Sequence, residues 1–251
     1  MARASMSLDD LVQQLRQVHG NALQAVVLYG SAASGEQIVG HSDFNVLVIV
    51  SSIDVVQMRS LGQTMRAWAE AGNPPVLELT EQEWRRSADI FPMEYADILE
   101  RHRLLHGTLA LTELVVDKHY LRLQTEQEAM GKLLRLRRGV MVAGTDAARQ
   151  IDLLRSSFSA LMVIFRAVSR LHGVKPERDA TRVIQDVAAK CGFDPAPFTA
   201  VSALVRGTAL SNGEAETVLA GYVRGMDVLV GYLDRFTSPS AAPEVIPPVQ
   251  S

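Results

Sequence analysis

Two apolar runs, Ala25 to Tyr29 and Phe44 to Val50, constrain the fold of this chain more than any other feature. Both are rich in β-branched residues and too short for stable helices, so both read as strands. Phe44 to Val50 is apolar at every position except Asn45, the pattern of a strand covered on both faces. Such strands need other elements packed against them, which predicts a layered domain rather than a helical one at this end of the chain. The first run ends in Gly30-Ser31 and the second is preceded by Ser42-Asp43. Alternate strand residues project to one side, so Asp43 and Asn45 share a face.

The flanking segments punctuate cleanly. Ser7 opens a Ser-x-x-Asp cap, Leu8, Leu11, Leu15 and Val18 recur at helical spacing, and Gly20-Asn21 ends that helix. Ser31 to Gly40 has room for about two helical turns. Asp54 starts a helix with the stripe Val55, Met58, Leu61, Met65 and Trp68, stopped by Gly72-Asn73-Pro74-Pro75. Val76 to Leu79 reads as a strand, and Thr80-Glu81-Gln82-Glu83 as a capping box for a short helix through about Ala88. Phe91 to Ile98 reads as a strand again, and Arg103 to Gly107 as a short edge strand.

After Gly107 the texture changes to long helical patterns. Val116 to Val142 has Leu121, Leu123, Met130, Leu133, Leu134 and Met141 as its apolar positions, and Thr145-Asp146 caps a second long helix through Leu171. Asp179 to Lys190, Pro197 to Val205 and Glu214 to Phe236 complete a bundle of five helices. The expected organisation is therefore a core over 1–108, a helical bundle over 109–237, and a Ser/Ala/Pro tail over 238–251 that is expected to be disordered.

Composition narrows the function. The net charge of -3 gives no global basic field for nucleic acid, which leaves only a local patch such as Arg135, Arg137 and Arg138. No apolar run approaches the roughly 20 residues of a membrane span, and MARASMSLDD lacks the apolar region of a secretory signal. The lone cysteine, Cys191, excludes an intramolecular disulfide and suits a reducing compartment. A cytoplasmic location is expected. His19, His41, His102, His106, His119 and His172 show no metal-ligand spacing, and His41 beside Asp43 reads as a loop residue.

A Gly-Ser turn between a strand and a helix start can let backbone N–H groups approach an anion, or be a plain turn. The order of motifs is more specific. Leu28-Tyr29-Gly30-Ser31-Ala32-Ala33-Ser34-Gly35 followed by His41-Ser42-Asp43-Phe44-Asn45-Val46-Leu47-Val48 resembles the nucleotidyltransferase superfamily that includes DNA polymerase beta. A small domain followed by helices is similar to the minimal and kanamycin-type nucleotidyltransferases. The resemblance implies an α+β fold, with a small mixed-sheet core followed by an all-α bundle.

It also implies a chemistry: transfer of a nucleoside monophosphate from a nucleoside triphosphate to a hydroxyl of a small molecule, protein or RNA, assisted by Mg2+ or Mn2+. Gly30 and Ser31 would hold the triphosphate, and Asp43 and the residue at Asn45 would hold metal. A third carboxylate from a neighbouring strand would be Glu94 or, second, Glu78, with Asp89 and Asp97 read as solvated or capping residues. Glu128 and Lys132, at i,i+4, match the family's acid and lysine as base and phosphate contact; they are equally the commonest kind of surface ion pair on a helix. The departure is Asn45, where the family has a second Asp. An amide oxygen still ligates magnesium but carries no charge, so two readings stay open: an enzyme with a weakened metal site, or a silent nucleotide-binding or regulatory module.

Overall fold

The computed structural model describes residues 6–30, 32–33, 44–109, 111 and 114–236. It divides into two compact units, Met1–Asp117 and Lys118–Ser251. The expected tail over 238–251 lies outside the described residues.

In the first unit, α1 (Leu8–His19) starts on the Ser7–Asp10 capping box and stops at Gly20. A 3-10 turn leads into β1 (Leu23–Tyr29), and β2 (Asn45–Val50) returns antiparallel beside it. The apolar stripe that follows is broken at Leu61 into α2 (Val55–Ser60) and α3 (Gly62–Glu70). Then come β3 (Leu77–Thr80), α4 (Glu81–Arg86) on the Thr80–Glu83 capping box, α5 (Pro92–Glu100) and β4 (His102–Gly107). The sheet order is β3-β2-β1-β4, with β3 parallel to β2 and the other pairs antiparallel. The sheet is mixed, and β4 is an edge strand.

Each face of the sheet carries its own core. Val46, Val48 and Val50 pack with Leu11, Leu15 and Trp68, while Leu47 and Ile49 pack with Trp84, Tyr95 and Ile98 on the other side. Tyr95 stacks on Trp84 with ring centroids 4.3 Å apart, and its buried hydroxyl donates to the Trp84 carbonyl at 2.6 Å. Those contacts tie α5 to α4 over the Leu47 and Ile49 face of the sheet. At the far end of β4, Gly107 has φ +74°, and a Cβ there would stand 1.7 Å from the Gln24 carbonyl oxygen.

The expected strand over Phe91 to Ile98 is a correction: this segment is α5. Its apolar-acid-apolar run, Met93-Glu94-Tyr95, imitates a strand, but Pro92 sits at the first helical turn, where its fixed φ and missing N–H cost nothing. Met93, Tyr95, Ala96 and Ile98 are buried and Glu94 and Asp97 are not, so the true period is helical. Glu94 is therefore in the first turn of a helix and not mid-strand.

The second unit is helical throughout its described residues: α6 (Lys118–Ala143), α7 (Ala147–Leu171), α8 (Ala180–Cys191), α9 (Ala196–Val205) and α10 (Asn212–Arg235). Asp146 and Asp179 cap α7 and α8 by accepting from backbone N–H groups. Phe165, Phe193, Phe198 and Tyr222 form the aromatic centre, with Phe198 and Tyr222 at 4.6 Å. Arg122 donates to the Leu233 carbonyl at 2.9 Å, tying α6 to the last turn of α10. No helix among the described residues is long and apolar enough to cross a membrane.

Candidate functional site

Residues from β1, β2 and α5 converge where β1 ends. Gly30 has φ +79°, a conformation that a residue with a Cβ adopts only with strain. Its carbonyl accepts from the Ala33 N–H at 3.1 Å, which closes the turn, and its own N–H donates to the Arg101 carbonyl at 3.2 Å. A Cβ on Gly30 would stand 3.3 Å from Asn45 Nδ2 and 3.5 Å from Asp97 Oδ2. The missing side chain is thus the gap between an amide and a carboxylate.

The placement of Asn45 follows from register. It pairs with Tyr29 across β1 and β2, and by alternation it shares a face with Leu47 and Ile49, the α5 side of the sheet. The preceding residue is anchored twice. The Phe44 N–H donates to Asn73 Oδ1 at 3.1 Å, and its ring lies 6.1 Å from that of Trp68.

Helix α5 brings charge to this face. Glu94 and Asp97 are one turn apart, and both bear on Tyr29. Burial first, and then those two negative charges, push the Tyr29 phenol up to about 12. Arg101 Nη2 meets Asp97 Oδ1 at 2.6 Å, with both side chains largely buried. The next residue, His102, donates from Nδ1 to the Ile98 carbonyl at 2.7 Å, which fixes its tautomer and the join between α5 and β4.

Of the residues singled out in the sequence, Gly30 and Asn45 are brought together, and Glu94 is on the helix that faces them. Ser31 and Asp43 lie outside the described residues, as does His41. Glu78 pairs with Val48 in β3 and so projects from the opposite face, 3.7 Å from His19 of α1. That removes it as a partner for Asn45. Glu128 and Lys132 form an i,i+4 ion pair at 3.5 Å on α6, in the second unit. Asp97 is a correction in the other direction. It is neither solvated nor a cap, but a largely buried group at the Gly30 turn. Reading Phe91 to Ile98 as a helix would have found it, since Glu94, Asp97 and Arg101 then share one face.

Among the described residues, no group of three His, Cys, Asp or Glu side chains is arranged to hold a metal ion. The donors that do converge are oxygen-bearing and hard, the chemistry that suits magnesium, and Gly30 leaves the space beside them that a side chain would fill.

No family model matches the chain, and no curated protein matches it. Among solved structures it is similar to spectinomycin adenyltransferase AAD(9) from Enterococcus faecialis, crystallised with ATP and spectinomycin. The identity is 11%, the TM-score is 0.59, and the match covers 91% of this chain and 98% of that one. At that identity the likeness is one of fold. The chain has the nucleotidyltransferase fold, a small mixed-sheet α+β core followed by an all-α bundle.

Proposed function

We propose that this protein binds a nucleoside triphosphate at the Gly30 turn and transfers its nucleoside monophosphate to a hydroxyl of an acceptor. The observation that carries the reading is the convergence of Gly30, Asn45 and Asp97 at the end of β1, in a chain with the fold of an adenyltransferase crystallised with ATP. The Gly30 and Ser31 backbone would approach the triphosphate, and Asp43 with Asn45 would hold Mg2+ or Mn2+ from one face of β2. When bound, the metal supplies charge neutralisation of the phosphates. Glu94 is the third acid of this arrangement, with Asp97 and Arg101 fixing the helix that carries it. Glu128 would accept the acceptor's proton and Lys132 would contact phosphate. A bond forms from the hydroxyl oxygen to the α-phosphorus, the bond to the β-phosphate bridge breaks, and pyrophosphate leaves. The neighbour's small-molecule companion makes a small molecule the first acceptor class to test, ahead of protein or RNA. A cytoplasmic setting belongs to the same proposal.

One observation favours a second reading. Asn45 is neutral and Arg101 offsets Asp97, so this face holds less negative charge than a two-metal site uses. A nucleotide-binding module without turnover would need no more.

Thermal melting with each nucleoside triphosphate, with and without Mg2+ or Mn2+, tests binding. A metal-dependent rise of several degrees is expected, largest with ATP. No shift at millimolar nucleotide with either metal would sink both readings. Incubation with triphosphate labelled at the α-phosphate and hydroxyl-bearing acceptors then separates them, because only an enzyme leaves labelled acceptor and pyrophosphate.

A further inference from the structure

Helix α6 has two apolar faces. One, with Leu121, Thr125, Ala129, Leu133 and Leu136, is buried in the bundle. The other runs through Tyr120, Leu123, Gln127, Met130, Leu134, Arg137 and Met141. Its spacing alternates three and four residues throughout, the seam of a coiled coil. Its apolar members are 41–75% exposed. An apolar stripe of that length facing water marks an association surface. Gly131 lies beside the seam, inside the helix, where glycine is less favourable than alanine. A Cβ there would meet nothing within 4 Å, so no described contact within the chain requires a glycine. The close approach of another helix would.

We propose that this face is a two-fold interface in which α6 packs antiparallel against α6 of a second copy. The residue pattern sets the register. With the axis at the level of Lys132, Met130 meets Leu134, Leu123 meets Met141, and Gln127 meets Arg137, each pair occurring twice as two-fold symmetry requires. Apolar residues meet apolar residues, and the two polar seam positions meet each other. Arg137 is paired with Asp227 of α10, and the Gln127 amide of the second copy offers an acceptor to the former and a donor to the latter. A parallel, in-register pair would instead set Arg137 against Arg137. Covering the apolar seam in both copies removes on the order of 1,000 Å² from water, the threshold of a specific interface. Glu128 and Lys132 lie roughly opposite the seam on the helix, so this packing leaves their ion pair uncovered.

Sedimentation of the full chain at micromolar concentrations tests the proposal, with a dimer that dissociates on dilution as the expected result. Leu134→Glu is expected to give a monomer with unchanged helix content and melting temperature, since the position is exposed. Gln127→Glu is expected to tighten the dimer several-fold by meeting Arg137. Oxidative crosslinking fixes direction, and the native Cys191 is buried and silent. The Met130→Cys, Leu134→Cys double variant is expected to crosslink, and Leu123→Cys alone is not. A monomer at every concentration, a dimer that survives Leu134→Glu, or a self-linked Leu123→Cys would each overturn it.

Discussion

Asp97 and Arg101 meet at 2.6 Å, and the same Arg101 accepts the Gly30 N–H on its backbone carbonyl. One residue therefore holds both the acid and the turn. Asp97→Asn is expected to lower stability by about 1.5–3 kcal/mol, the range for hydrogen bonds to charged groups. It should also let Tyr29 ionise at lower pH, because one of the negative charges that raises it is gone. Arg101→Gln should move Tyr29 the opposite way. Spectrophotometric titration of the wild type and both variants reads the two signs.

Gly30→Ala should be costly for a local reason. The positive φ is worth about 1–2 kcal/mol against a residue with a Cβ, and the new methyl would press on Asn45 and Asp97. Urea unfolding should show a loss of that size. Any metal-dependent thermal shift by nucleotide should vanish, even at temperatures where the variant is folded.

The protein should lose stability at high pH in a defined window. A phenol ordinarily ionises near 10, and Tyr29 is held up to about 12 in the folded chain. A folded value raised above the unfolded one gives stability that is complete below pH 10 and lost as pH rises towards 12. The Tyr29 share is roughly 2–3 kcal/mol, from about 1.4 per unit. Burial also raises Tyr95 and Tyr222, so the measurement is the difference between wild type and Tyr29→Phe. The variant should show the shallower decline.

Asn45→Asp should raise the metal-dependent thermal shift by nucleotide, by restoring a carboxylate on the face that Asn45 shares with α5. If the proposed function holds, Asp43→Asn abolishes the shift. An Asn45→Asp variant whose shift is no larger than the wild type's would separate the metal from this face of β2.

Glu128 and Lys132 can be tested by what they leave intact. Their ion pair is partly exposed at 3.5 Å and contributes well under 1 kcal/mol. Glu128→Gln should leave the melting temperature and nucleotide binding unchanged while removing transfer. Equal transfer by wild type and variant would return the pair to the role of surface ion pair.

Much of this was legible in the residues. The capping boxes at Ser7 and Thr80 read correctly because their chemistry is local: a hydroxyl and a carboxylate exchange hydrogen bonds within one turn. The five bundle helices read correctly because their patterns are long. The strand over Phe91 to Ile98 failed because the segment is short, and Met93-Glu94-Tyr95 by itself fits a strand, whereas Glu94 and Asp97, three residues apart, follow the helical period. Pro92, at the first helical turn, decides between the two. With the helix went Asp97 and Arg101, whose part depends on β4 returning beside β1, a contact that no local pattern encodes. In α6 the apolar residues were found, but the sequence could not divide them between a bundle face and a water-facing seam. Leu123, Met130, Leu134 and Met141 are on the latter.

Gly107 stands at the opposite end of β4 from the Gly30 turn, opposite Ala25, while His102 stands opposite Tyr29. No larger residue fits against the Gln24 carbonyl, so this contact acts as a peg that stops β4 from sliding along β1. A strand slipped by one residue would turn each of its side chains to the other face and draw the Arg101 carbonyl away from the Gly30 N–H. Damage at Gly107 would therefore surface as a distortion of the Gly30 turn, a full strand length away from the substituted residue.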